Sequence, residues 1–173
     1  LNDSSVKIFD EAKSYQMVSI LKGAVDRGTG QKTKIDGIEI AGKTGTTNNN
    51  TDAWFIGFTS ELIIGVYAGF DSPESLGKRE TGSSIAVPIF REFISKYYEE
   101  KPILPFTIPS GIELIRINYD TGKVSKNIQN TNSVYEAFTK SDNLASSGET
   151  LVGSEGFQII QVVDEVVEEY VIY

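Results

Sequence analysis

Ala41-Gly42-Lys43-Thr44-Gly45-Thr46-Thr47, followed shortly by Asp52-Ala53-Trp54-Phe55-Ile56-Gly57-Phe58, is the stretch on which the fold turns. From Ile35 to Lys43 the side chains alternate, with Ile38, Ile40 and Gly42 on one face and Glu39, Ala41 and Lys43 on the other, the period of a strand. Lys43 therefore sits on a strand or at its end. Ala53 to Thr59 and Leu62 to Phe70 are rich in aromatic and β-branched residues, and the short Ser60-Glu61 connection makes them an antiparallel hairpin. Three strands in series suggest a meander.

Upstream, Met17, Ile20, Leu21, Ala24 and Val25 put one apolar stripe on a helix of residues 10 to 27, stopped by Gly28. Downstream, Ala86, Ile89, Phe90, Phe93, Ile94 and Tyr97 return to helical spacing over 86 to 99, with Pro88 acceptable in the first turn. That helix would cover the hairpin. Pro102, Pro105 and Pro109 favour an extended connector and mark the best boundary in the chain, dividing residues 1–100 from a small extension over 101–173. Within the extension, Ile112 to Tyr119 reads as a short strand stopped by Asp120-Thr121-Gly122, and residues 139 to 156 as a loose polar loop. Ile160, Val163, Val167, Tyr170 and Val171 could line a helix, although so many β-branched residues also suit a strand; helix is the expectation.

The chain's formal charge is -8, yet the acids from Glu149 onward meet no Lys or Arg and leave only -2 for residues 1 to 148. A near-neutral body with an acidic tail argues against a nucleic acid partner, which needs a clustered basic face. With no Cys there is no thiolate chemistry, and with no His the commonest general base and metal ligand is missing. Any catalysis must use Ser, Thr, Lys, Tyr or carboxylates, and neither cofactor nor metal is expected. No apolar run is long enough to span a bilayer.

Gly37-Ile38-Glu39-Ile40-Ala41-Gly42-Lys43-Thr44 satisfies the phosphate-loop pattern G-x-x-x-x-G-K-[ST]. A phosphate loop must turn its N–H groups onto the phosphates and open a helix. Here the intervening residues suit an extended strand, and Thr-Gly-Thr-Thr and three asparagines follow Lys43. The alternative reading keeps Lys43 on a strand edge whose unpaired N–H groups form one wall of a pocket. Gly45 lets a substrate backbone approach, and Lys43, Thr44 and Thr46 offer a cation and two hydroxyls to a carboxylate.

The Ala41–Thr47 run with Asp52–Phe58 resembles the third motif and following strand of the penicillin-binding transpeptidases, the bifunctional class A members in particular. The resemblance continues in Tyr15-Gln16-Met17, Arg27-Gly28-Thr29-Gly30, Gly65 through Asp71, Glu80-Thr81-Gly82 and Ala86-Val87-Pro88-Ile89-Phe90. Pro109-Ser110-Gly111-Ile112, Asp120-Thr121-Gly122 and Glu136-Ala137-Phe138 are similar to the short C-terminal extension of that class. It implies an α+β fold: a three-stranded antiparallel remnant of the serine β-lactamase-like transpeptidase sheet with packed helices, plus the small extension. In that family a serine of a Ser-x-x-Lys motif attacks the D-alanyl-D-alanine end of a peptidoglycan stem peptide and passes the acyl group to an amine on a neighbouring strand. β-Lactams imitate the dipeptide and trap the acyl-enzyme.

By this resemblance Lys43 completes the electrostatics near the nucleophile, Thr44 and Thr46 bond the substrate or drug carboxylate, and the Thr46 N–H gives half of the oxyanion hole. Ser4-Ser5-Val6-Lys7, Ser19-Ile20-Leu21-Lys22 and Ser75-Leu76-Gly77-Lys78 match Ser-x-x-Lys, and Ser141-Asp142-Asn143 matches Ser-x-Asn, but their order and context are wrong for the family. The expectation is therefore a fragment without its nucleophile, inactive alone. Its parent would be anchored by an absent N-terminal segment on the periplasmic side of the bacterial inner membrane. Lacking two strands of the family's five-stranded sheet, Leu62 to Phe70 would present a free edge, giving a homodimer or an edge capped by Ile112 to Tyr119. The rival reading is a non-catalytic interaction or dimerisation module whose end, Phe157 to Tyr173, docks on a partner helix.

Overall fold

The computed structural model describes residues 6–125, 131–140, 158–163 and 166–171. Its contacts gather into two compact units, one spanning Met17–Thr107 and the other formed by described residues before Met17 and from Ile108 onward. Helix α1, Glu11–Asp26, begins where the Asp10 carboxylate accepts the N–H groups of Ala12 at 2.9 Å and Lys13 at 3.3 Å. It ends where the Gly30 N–H returns to the Ala24 carbonyl at 3.1 Å.

Strands β1 (Ala41–Thr46), β2 (Asp52–Phe58) and β3 (Ile63–Gly69) form one antiparallel sheet in that order. The expected hairpin is β2–β3, in register from Asp52↔Gly69 to Phe58↔Ile63. The first strand starts later than the alternation suggested. Gly37 adopts φ +82 and folds the chain back so that Ile35 bridges Ile38, which takes the start of the alternating run out of the sheet.

Along β2 the buried residues are Ala53, Phe55 and Gly57, and their face is covered by helix α2, Val87–Tyr97. Pro88 lies in the first turn of α2, where its missing N–H costs no hydrogen bond. The core joins Val25 of α1, Ile40, Phe55, Val87, Phe90, Ile94 and Tyr98, with the Phe55 and Phe90 rings edge to face at 4.7 Å. A π-helical turn, Gly82–Ala86, leads into α2, and the Thr81 N–H donates to the Ser84 hydroxyl at 2.7 Å. The connector carrying the three prolines has no regular structure. It is tied to its unit where the Ser60 hydroxyl donates to the Leu104 carbonyl at 2.7 Å, the Phe106 N–H to the Glu39 carboxylate at 2.8 Å, and the Phe106 ring meets Phe58 at 5.7 Å. Lys22 forms an ion pair with the same Glu39.

In the second unit β4 (Ile112–Asn118) pairs with β5 (Ser133–Thr139), in register from Ile112↔Thr139 to Asn118↔Ser133. Ile115, Ile117 and Phe138 form its small core. The capping of the β3 edge by Ile112 to Tyr119 is thereby corrected, because that strand's ladder goes to β5. The helix expected from Ile160 onward is corrected too. Strands β6 (Gln158–Val163) and β7 (Val166–Val171) pair antiparallel, the conformation that β-branched side chains favour. Thr139 belongs to β5, and most of the expected polar loop, residues 141–156, lies outside the described residues. No helix among the described residues is long and apolar enough to cross a membrane.

Candidate functional site

β1 is an edge strand, and its hydrogen-bond phase decides what it offers. The Thr47 N–H donates to the Asp52 carbonyl at 3.1 Å, so Gly45 and Lys43, two and four residues earlier, also bond towards β2. The N–H and C=O groups of Thr44 and Thr46 therefore point outward, to a side on which no strand pairs among the described residues. The outward Thr44 carbonyl accepts the Lys43 ammonium at 2.9 Å, which curls this exposed side chain onto the free edge. Cation and unpaired N–H groups share one border of the sheet.

The two threonine side chains lie on the opposite face from Lys43. Thr44 is in register with buried Phe55, and its hydroxyl meets that of Thr29 at 2.6 Å. The Thr46 hydroxyl accepts the Gly82 N–H at 3.1 Å. These contacts leave donors available, because an accepting hydroxyl keeps its own proton and two mutually bonded hydroxyls use only one of theirs. A carboxylate reaching the edge could take both. Gly45 leaves a hollow between Lys43 and Thr47 on the other face, where Trp54 is its cross-strand neighbour.

That other face is open. Trp54, Ile56, Ile63 and Tyr67 remain 41%, 53%, 74% and 50% exposed. At the end of it nearest Thr47, the Asp52 carboxylate accepts hydrogen bonds from the Tyr67 hydroxyl at 2.9 Å and from the Thr51 and Thr47 hydroxyls, each at 3.0 Å. The Tyr67 bond, then those of Thr51 and Thr47, hold the Asp52 carboxyl below its ordinary pKa, and the carboxylate in turn raises the phenol of Tyr67. The positions of Thr29, Gly82, Asp52 and Tyr67 around the motif strand were not read as a site in the sequence. All four lie in runs that carried a signal as parts of the resemblance, but nothing in those runs shows which side chains meet around the strand.

The phosphate-loop alternative fails on this geometry. Lys43 and Thr44 lie inside β1, and the next element is a short 3-10 turn, Asn48–Asn50, with Asn49 and Asn50 at positive φ, in place of a helix N-terminus. Among the described residues, the candidate Ser-x-x-Lys pairs of Ser19 and Ser75 are not assembled either. Lys22 is engaged by Glu39, Lys7 donates to Glu11 at 3.0 Å, and the Ser75 hydroxyl accepts the Gly77 N–H at 3.2 Å. Ser4 and Ser141-Asp142-Asn143 lie outside the described residues.

Residues 4–95 match the family model of the penicillin binding protein transpeptidase domain. Penicillin-binding protein 1A of Rickettsia conorii is 48% identical over 132 residues, covering 76% of this chain and 16% of that protein. The Pseudomonas aeruginosa protein of the same name is 36% identical over 149 residues, covering 86% of this chain and 18% of its own length. Among solved structures, the 2.6 Å crystal structure of penicillin-binding protein 1A from Haemophilus influenzae superposes with a TM-score of 0.66 at 27% identity, over 76% of this chain and 21% of that one. The chain thus spans less than a fifth of the length of these two curated relatives.

Proposed function

Because this chain belongs to the penicillin-binding protein transpeptidase family, we propose that its Lys43–Thr46 strand is one wall of the site of a serine-type peptidoglycan D,D-transpeptidase. The site takes the D-alanyl-D-alanine end of a stem peptide and the β-lactams that imitate it. The observation that carries this reading is the Lys43 ammonium bonded to the outward Thr44 carbonyl on an edge whose Thr46 N–H also faces out. A peptide laid along that edge finds a cation and hydroxyl protons for its terminal carboxylate. The Thr46 N–H is one fixed donor for the carbonyl oxygen where negative charge develops, an interaction worth about 3–4 kcal/mol in such sites. The attacking serine comes from outside these residues, so the chain binds but does not turn over. The parent enzyme works in cell-wall cross-linking on the periplasmic face of the bacterial inner membrane.

Two measurements test this. A fluorescent penicillin should leave the 173-residue chain without covalent label; label on Ser19, Ser75 or any other serine overturns the borrowed nucleophile. In an amide NMR titration with N-acetyl-D-alanyl-D-alanine, the first shifts should fall on Thr44, Gly45 and Thr46. Hydrogen bonds to charged groups contribute about 1.5–3 kcal/mol, so Lys43→Ala should weaken that binding roughly tenfold or more. Shifts confined to other regions would reject the site.

A further inference from the structure

The open face of the sheet is a small grid in which aligned positions can be read across the strands. Lys43, Ile56 and Gly65 form one row, Gly45, Trp54 and Tyr67 the next, and Thr47, Asp52 and Gly69 the last. Gly45 leaves the middle cell of β1 empty, and a Cβ placed there would lie 3.2 Å from the Trp54 Cβ. The indole thus borders the hollow directly. Its other side rests on Tyr67, with ring centroids 4.6 Å apart and planes at 50°. Tyr67 is itself held from the last row, because its hydroxyl donates to Asp52 at 2.9 Å. This diagonal bond needs Gly69 in the register position opposite Asp52: a Cβ there would lie 2.4 Å from the Tyr67 Oη and 2.7 Å from the Asp52 Oδ1.

We propose that Trp54 is a specificity-determining wall of the ligand groove, and that Tyr67 and Asp52 are positioning residues that hold its indole beside the Gly45 hollow. The proposal rests on the reading of the β1 edge as a transpeptidase substrate wall. A peptide added to that free edge places alternate side chains on the open face. The one opposite Gly45 meets no β1 side chain and faces the indole across the gap, bounded along the strand by Lys43 and Thr47. The ligand class is therefore an acylated peptide ending in a carboxylate, with a small apolar side chain at that position. The Asp52 oxygens are already engaged by three hydroxyls, which suits an anchoring role.

Trp54 is the single tryptophan of the chain, so one indole N–H signal reports on it alone. In the titration with N-acetyl-D-alanyl-D-alanine, this signal should move together with the amides of Gly45 and Thr46. Trp54→Phe should weaken the affinity. Tyr67→Phe keeps the tilted ring contact but loses the bond to Asp52, and should weaken binding at least about threefold, the scale of one hydrogen bond. Asp52→Ala should do the same, whereas Asp52→Asn, which still offers an acceptor oxygen, should recover most of the loss. Unfolding midpoints measured alongside separate a loss of stability from a loss of affinity. If Gly45 and Thr46 shift while the indole stays still, or if Trp54→Phe and Tyr67→Phe bind as tightly as the parent chain, the inference is overturned and the site reading survives. If Gly45 and Thr46 do not respond at all, both fall.

Discussion

A methyl group added at Gly82 would lie 2.3 Å from the Trp54 carbonyl oxygen and 2.7 Å from that of Gly45, both backbone atoms with little room to give. Gly82→Ala should therefore push the π-helical turn off the β1–β2 ladder, break the bond from its N–H to the Thr46 hydroxyl and cost about 1–3 kcal/mol in urea unfolding, the range for overpacking. Unchanged stability, with the Thr46 amide unmoved, would show that the turn adapts. At Glu39 burial by itself would raise the pKa, but the hydrogen bonds from Lys22 and the Phe106 N–H, with the Lys22 charge, bring it below the ordinary value. A carboxyl whose folded pKa is depressed stabilises the fold above its unfolded value of about 4.3, and that contribution is lost as pH falls through the folded value. Parent chain and Glu39→Gln should thus differ in stability at neutral pH and converge under acid conditions; a gap that persists in acid would reject the charged anchor. Lys43, Thr44, Gly45 and Thr46 were legible as a site because they are contiguous. Thr29 and Gly82 were not, since nothing local in the sequence shows that residues 15 and 36 positions away would touch Thr44 and Thr46.

Helix α2 stands on its apolar stripe, which makes its energetics simple to rank. Phe90 is fully buried against Phe55, and Phe90→Ala should cost about 3–5 kcal/mol by denaturant titration. The exposed Glu92–Lys96 pair at 2.8 Å is a solvated contact, and Glu92→Gln should leave the denaturant midpoint essentially unchanged. Equal losses at the two positions would mean that the helix is not held by its stripe. Hairpin β2–β3 and α2 could be read from the chain because each has one strong period and a clear stop. The start of β1 could not, since alternation at Ile35 and Ile38 looks the same whether Gly37 continues the strand or turns it. The tail had a helical spacing of apolar residues and a β-branched composition at once, and there the composition prevailed. β5 was overlooked because Ser133–Thr139 mixes polar and apolar residues, with its buried Ala137 and Phe138 adjacent.

At the scale of the molecule, the sheet ends on β3. The Thr59 N–H donates to the Leu62 carbonyl at 2.9 Å, so the backbone groups of Ile63, Gly65, Tyr67 and Gly69 face away from β2, where no strand pairs among the described residues. The strand Ile63–Gly69 has no charge and no proline, the two usual protections of an edge. We expect concentration-dependent dimers through antiparallel β3–β3 pairing, seen as mass by light scattering. Ile63→Lys should shift them towards monomer, whereas a parent chain that stays monomeric at high concentration would reject the pairing. The same border has a practical use. A sheet that stops at a bare strand beside an open face is half of a split-protein sensor: a second polypeptide supplying the next strand would dock there, and the lone indole of Trp54 would signal its arrival.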